Sequence, residues 1–362
     1  MRFFAAAAWT TVLLAARRSW GFSGGLGRRV ARVENPERLP VWPVANGLVA
    51  CVLDLLKLED AAALLEEKFG GRVCPMMLEP EADPFVLLVH HRHAFDFWDP
   101  VRPLFRLLMP EGFPAHPHVG FETVTATVAG GLSHRDSVGV VERYHDGDVQ
   151  WLTAGRGVLH EEMWIHPEGR DCELYQLWVN LGRDNKRATP RTEILRGSDL
   201  EVAAPSPGVL ETRLGGDLGG ASAETTGARR NDVRLSRVEI DPAARFRLDL
   251  AADATALVYV RRGHVHVADT LVPRYRLAYT RRESDAIVVE NRDPDLGAEI
   301  LLLCATPLRE PVFASGTWVV SSEQELDAAD EAYEKGWFGV PWRSSLSDDE
   351  WRAWVQRHPP RV

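Results

Sequence analysis

The sequence predicts an all-β protein made of two tandem barrel or sandwich domains, and three observations predict it. From residue 84 to 315 the chain is broken into short β-rich runs bounded by Gly, Asp, Asn or Pro. These include "PFVLLVHH", "FETVTATVAGG", "GDVQWLTAGRG", "LYQLWVNL", "ALVYVRRGHVHVAD", "DAIVVENRD" and "AEILLLCATP", the pattern of sandwiches and barrels. No long helical pattern interrupts them, which argues against a parallel βαβ fold. The length of 362 residues suits about two domains.

In chain order, residues 1–32 read as a targeting segment outside the fold. They hold six arginines and no acid, and the apolar run from Phe3 to Ala16 is 14 residues long, shorter than the roughly 20 a membrane span needs. The expected destination is an organelle, plastid or mitochondrion; if the segment is not used, the protein stays in the cytoplasm or nucleus. Residues 33–80 read as a helical extension, because "NGLVACVLDLLKLEDAAALLEEKFGG" spaces Leu and Ala helically and stops at Gly70 and Gly71. Residues 81–200 form the first β domain and 201–315 the second. The Gly- and Thr-rich "LGGDLGGASAETTGARRND", Leu214 to Asp232, is a long loop or linker. Residues 316–362 form a helical tail, with Ser322 capping a helix and Glu325 three residues on, and a last short helix in "SDDEWRAWVQRH".

Composition narrows the function classes. Lys and Arg number 42 against 52 Asp and Glu, a net charge of −10, against a dedicated nucleic-acid binder. The four cysteines, Cys51, Cys74, Cys172 and Cys304, contain no CxxC pair and support neither a disulfide framework nor a zinc ribbon.

Two residue pairs carry the chemistry. His116 and His118 stand in "AHPHVGFETV", and His160 and Glu162 in "TAGRGVLHEEMW". Residues two apart on a strand share a face, and antiparallel return through turns such as "HDGDVQW" can set the two pairs against each other. Three imidazoles and one carboxylate suit a divalent first-row metal, iron, manganese, nickel, copper or zinc, over calcium or magnesium. Four such ligands leave two octahedral positions open. The lack of thiolate argues against structural zinc.

The ordered stretches "HPHVGFETVT", "GGLSHRDSVG", "GDVQWLTAGRGVLHEEMW" and "LYQLWVNL" resemble the signature of the pirin family, within the cupin superfamily. "PLREPVFASGTWVVSSEQEL", Pro307 to Leu326, resembles that family's C-terminal segment. The resemblance implies two cupin barrels of the double-stranded β-helix, jelly-roll type. The first would bind one metal, Fe(II), through His116, His118, His160 and Glu162; the second would lack ligands. One implied function is a quercetin 2,3-dioxygenase-like reaction, with a small aromatic flavonol and dioxygen as partners and Glu162 as the proton-accepting catalytic group. The other is a non-enzymatic iron-dependent redox sensor or transcriptional co-regulator with a protein partner. Neither involves direct nucleic-acid contact, nor a membrane in the mature form. Val119 stands where the family commonly has Arg, and Ala126 where it commonly has an aromatic residue.

Five further histidines read as rim or structural groups. His90, His91 and His93 follow an apolar strand, and His264 and His266 have no HxE partner downstream. Glu122 is expected to orient a ligand histidine, and Gln176 to line the pocket or to make a strand hydrogen bond.

Overall fold

The computed structural model describes residues 27–39, 71–77, 79–94, 111–165, 171–215 and 233–361. Most of the expected targeting segment, residues 40–70 of the expected helical extension and residues 216–232 of the expected loop or linker lie outside these residues. By contacts the chain forms two units. One comprises the described parts of 38–73, 88–198 and 311–362; the other comprises those of 1–37, 74–87 and 199–310. Each is a β-barrel of a large and a small sheet.

In the 88–198 unit, the large sheet begins with Arg191–Leu195, Val149–Thr153, Phe121–Ala129 and Asp171–Asn180. The small sheet runs Gly112–His118, Val158–Ile165, Gly131–Asp136, Val141–His145. "FETVTATVA" forms a strand because its β-branched residues fit a pleated surface, and its first seven residues are buried. One face carries Phe121, Thr123, Thr125 and Thr127. Thr125 stands opposite Gln150 on one neighbour and Gln176 on the other. A polar row therefore crosses the inner face of this sheet.

The 199–310 unit has the same plan with a different filling. Its large sheet runs Val30–Glu34, Leu277–Thr280, Thr255–Arg262, Ala298–Ala305, Val233–Ile240, Val209–Arg213, Val202–Ser206. Its small sheet runs Arg245–Asp249, Ala286–Glu290, Val265–Val267, Thr270–Val272. Val238, Phe246, Val258, Val267, Val289 and Ile300 are among the buried side chains that fill it. That interior is largely apolar.

The N-terminal boundaries need correction. Residues 30–34, read as straddling a targeting segment and a helix, form a strand antiparallel to Leu277–Thr280. Arg28 is fully buried; its Nε donates to the Ser284 carbonyl at 2.8 Å, and its Nη atoms donate to the carbonyls of Ala254 and Ala251. Charge bias at a chain's start thus hides an arginine that belongs to a barrel. Residues 37–39 and 71–75 are likewise strands rather than helix, since helical spacing is a property of the stretch between them.

The C-terminal tail is helical as expected and packs on the barrel of its own unit. A hairpin of Phe313–Ser315 and Trp318–Val320 leads into α1, Glu323–Glu334, and α2, Asp348–Arg357. The Ser322 hydroxyl accepts from the Glu325 N–H at 3.3 Å, while the Glu325 carboxylate accepts from the Ser321 N–H at 2.8 Å. The reciprocal box forms instead at Ser347 and Glu350. Trp318, Phe338, Trp342 and Trp351 join Val119 and Leu159 in one apolar cluster. Gly157 has φ +133, and a Cβ there would lie 2.1 Å from the Phe338 ring, so the turn before His160 admits that ring only as glycine.

Trp351 is fully buried. Trp351→Ala is expected to cost about 3–5 kcal/mol, read as a lowered urea midpoint for the transition of this unit. An unchanged midpoint contradicts the packing described.

Candidate metal centre

Strand Val158–Ile165 lies between the other two strands that build the site. His160 pairs with His116 on one side and with Asp136 on the other. Directly opposed residues share a face, so His116, His160 and Asp136 form one row. A bulge against Gly112–His118 falls between His160 and Glu162; on the other side the register is regular, and Glu162 pairs with His134. Bulges re-aim side chains next to sites.

The structure brings His116, His118 and His160 together. One ring nitrogen of each lies within 4.8 Å of those of the other two, and among the described residues this is the group of ligating side chains that can hold a metal ion. His116 Nε2 and His118 Nε2 are 3.1 Å apart. The His116 Nδ1–H donates to the Pro114 carbonyl at 2.8 Å, which leaves the lone pair on Nε2, the usual way a ligating histidine is fixed. His160 is fully buried, and neither ring nitrogen has a hydrogen-bond partner. Burial holds His118 and His160 well below the ordinary histidine value of 6.5, and neighbouring imidazoles add to it. His116 is lowered by burial against the opposing pull of the Pro114 carbonyl and Glu162. Neutral rings are what a metal requires.

Glu162 stands beside this group rather than within it. Its Oε1 accepts from Tyr144 Oη at 2.7 Å and Thr125 Oγ1 at 3.2 Å, and its Oε2 accepts from Gln176 Nε2 at 2.7 Å. Gln176 thus reaches into the barrel. Burial, and then the Glu162 charge, push the Tyr144 phenol well above its ordinary range, so it remains a donor. A fourth imidazole, His134, packs 5.5 Å from His160 by ring centres. Its Nε2 donates to Asp136 Oδ2 at 3.0 Å, which also accepts from Thr192 Oγ1 at 2.8 Å. Phe121 and Trp178 stand edge-on to His118, with ring centres 4.9 and 5.2 Å away.

The Glu122 expectation is corrected. Strand alternation puts Glu122 on the face opposite Thr123 and Thr125, where it accepts from Thr153 Oγ1 at 2.7 Å. It orients no ligand histidine from there. His90 pairs with Glu173 at 2.7 Å, and His91 and His93 pack against Trp164. His264 and His266 have ring centres 6.5 Å apart; His264 lies 4.0 Å from Asp293 and His266 stands opposite Glu290, and among the described residues they do not join a group of three side chains that could hold a metal ion. Val119 has a structural reason to be apolar: it bridges Trp318 in parallel and lies in the C-terminal cluster. Beside it, Gly120 has φ +85, and a Cβ there would sit 1.9 Å from the Val319 carbonyl oxygen. Lys186 Nζ donates to the Gly120 and Val319 carbonyls at 2.9 and 2.8 Å.

Sequence reasoning missed Tyr144, Thr125, His134 and Asp136. Two signals were present. "SHRD" places His134 and Asp136 in the same i, i+2 phase as the ligand pairs. "FETVTATVA" puts three threonines on one face of a strand buried on both.

Comparison with known proteins shows the family and the fold. The family model for pirin matches residues 76–179, and that for the pirin C-terminal cupin domain matches 235–339. Pirin from Rattus norvegicus is 32% identical over 284 residues, covering 77% of this chain and 88% of the rat protein. Pirin from Homo sapiens is 32% identical over 271 residues, covering 73% and 86%. Among solved structures, quercetin 2,3-dioxygenase from Acinetobacter baumannii matches with a TM-score of 0.65 at 28% identity, over 76% of this chain and 93% of that one.

The buried neutral histidines set a pH dependence. Their folded pKa values lie below the unfolded value of 6.5, so below 6.5 the unfolded chain binds protons first. Their stability contribution is fully present above 6.5 and is lost as pH falls through the lowered folded values. The thermal midpoint of metal-free protein is expected to drop as pH is lowered from 6.5, and His160→Leu is expected to flatten that slope. An equal slope in both proteins contradicts the assignment.

Proposed function

The chain belongs to the pirin family, and from that premise we propose that its His-bearing barrel is an iron-dependent dioxygenase centre acting on a flavonol-like substrate, of the quercetin 2,3-dioxygenase type. The observation that carries the reading is His160, a fully buried imidazole with neither nitrogen engaged, beside two more histidines in ligating range. Leaving such a buried polar ring unsatisfied costs about 1–3 kcal/mol; a cation shared by the three lone pairs removes that cost. The donor chemistry fits: neutral imidazoles with an adjacent carboxylate suit Fe(II). The likeness to the Acinetobacter baumannii quercetin 2,3-dioxygenase supports the reaction class.

His116, His118 and His160 would hold the iron, with Glu162 as fourth ligand. Bound there, iron would supply Lewis acidity toward the flavonol hydroxyl oxygen and lower the pKa of that hydroxyl. The chain's own residues do the rest. Glu162 would accept the hydroxyl proton at the Oε2 lone pair that otherwise faces the metal, while Tyr144, Thr125 and Gln176 hold its carboxylate in place. Phe121 and Trp178 offer flat apolar faces beside His118 for an aromatic ring. His118, His160 and Glu162 are all buried, which keeps bulk water from the reacting atoms.

Purified protein is expected to contain iron by elemental analysis and to consume dioxygen when given quercetin. His160→Ala is expected to lose both the metal and the oxygen uptake. Wild-type protein without metal, or unchanged metal content in His160→Ala, overturns the centre. Iron without flavonol-dependent uptake overturns the dioxygenase reading and moves the assignment to the redox-sensing alternative.

A further inference from the structure

The proposed centre rests on Glu162 as a ligand, and the structure says more about how that ligand is presented. A carboxylate has two in-plane lone pairs on each oxygen, about four acceptor sites in all. Glu162 Oε1 uses both of its own, accepting from Tyr144 at 2.7 Å and Thr125 at 3.2 Å. Oε2 accepts once, from Gln176 at 2.7 Å, and keeps one lone pair. The two oxygens are therefore not equivalent.

We propose that Tyr144 is a positioning residue that commits Oε1 of Glu162 to hydrogen bonding, so that Glu162 meets a metal through Oε2 alone. The inference goes beyond the ligand set, since it assigns a role to a residue on strand Val141–His145, which supplies no ligand. Tyr144 is suited to it. It is fully buried and packs in an apolar cluster with Leu132, Trp164 and Leu174, so its ring is fixed and its hydroxyl has one direction in which to point. Leu132 stands directly opposite it on the neighbouring strand. Thr125 comes from the other sheet, so Oε1 is gripped from both sheets of the barrel, while Gln176 holds Oε2.

The consequence concerns open positions. Three histidines and a one-oxygen carboxylate occupy four sites of an octahedral metal and leave two. A two-oxygen carboxylate occupies one more and leaves a single site. A reaction that brings an organic substrate and dioxygen to one metal needs both, so Tyr144 sets how many reactants the centre can take.

The test uses the full chain loaded with Co(II), whose visible bands report coordination number, together with azide as an exogenous ligand. Tyr144→Phe is expected to alter the Co(II) bands toward higher coordination and to weaken azide binding about tenfold, in the range seen when partners of metal ligands are removed. Thr125→Val, which removes the longer bond to the same oxygen, is expected to shift the bands in the same direction by less. Should Tyr144→Phe fail to fold, as read by circular dichroism, the Thr125→Val result decides. Bands and azide affinity that match wild type in the variants overturn the positioning role. Glu162→Ala separates the two readings. If it leaves the Co(II) bands unchanged, Glu162 is no ligand and the proposed ligand set fails with the inference. If it changes them while Tyr144→Phe does not, only the inference fails.

Discussion

The metal centre depends on one register. Val158–Ile165 is hydrogen-bonded on both sides, and its pairing places His160 opposite His116 and opposite Asp136. Strand side chains alternate with a period of two, so a slip of one residue would turn the imidazole outward and an apolar neighbour inward. Everything else in the site follows from holding that alignment: the row of three polar side chains, the offset that the bulge gives Glu162, and the approach of Thr125 and Gln176 from the opposing sheet. The alignment is defended from outside the barrel. Leu159, next to His160, and Val119, next to His118, are both buried in the cluster built by the C-terminal tail, and neither can be exchanged with its histidine neighbour without placing a polar ring in hydrocarbon.

The two barrels show how one architecture is given two characters. In the 199–310 unit, inward positions on both sheets carry Val, Ile and Leu, and the packing itself is the product. In the 88–198 unit, the inward positions include Thr123, Thr125, Gln150, Gln176, His134 and Glu162, all buried. Buried polar groups are costly unless bonded: Glu162 takes three donors, and His134 donates to Asp136, which also accepts from Thr192 and the N–H groups of Val138 and Val140, whereas the side chains of Thr123 and Gln150 make no hydrogen bond among the described residues. Apolar packing stands beside these polar groups in the cluster of Leu132, Tyr144, Trp164 and Leu174, and continues outside the barrel, where Trp318, Phe338 and Trp351 pack.

The sequence made the fold class and the histidine group legible because both are local patterns. Short β-branched runs between turn residues are visible without knowing what pairs with what, and His116, His118 and His160 announce themselves by i, i+2 phase and a specific family signature. Tyr144 and Thr125 do not. Their role depends on which strands become neighbours across two sheets, and a tyrosine in "VERYHDGD" looks like any strand aromatic. The expectation for Glu122 fails on strand phase: it stands one residue from Thr123, and in a strand one residue is the distance between two faces. Arg28 was hidden by the composition around it, since an arginine among arginines reads as a leader until three carbonyls are found at its guanidinium.

The packing of Val119 and Leu159 beneath the tail has a consequence for synthesis. The residues that clamp the ligand strands from behind, Trp318 through Trp351, are encoded some 150 to 230 positions after the histidines they support. A chain made from its N-terminus presents the strands of the 88–198 unit first and completes the whole 199–310 unit next, all before the clamp exists. Contacts of such long sequence separation close late. During translation the strands that carry His118 and His160 therefore precede the residues that cover their outer apolar faces.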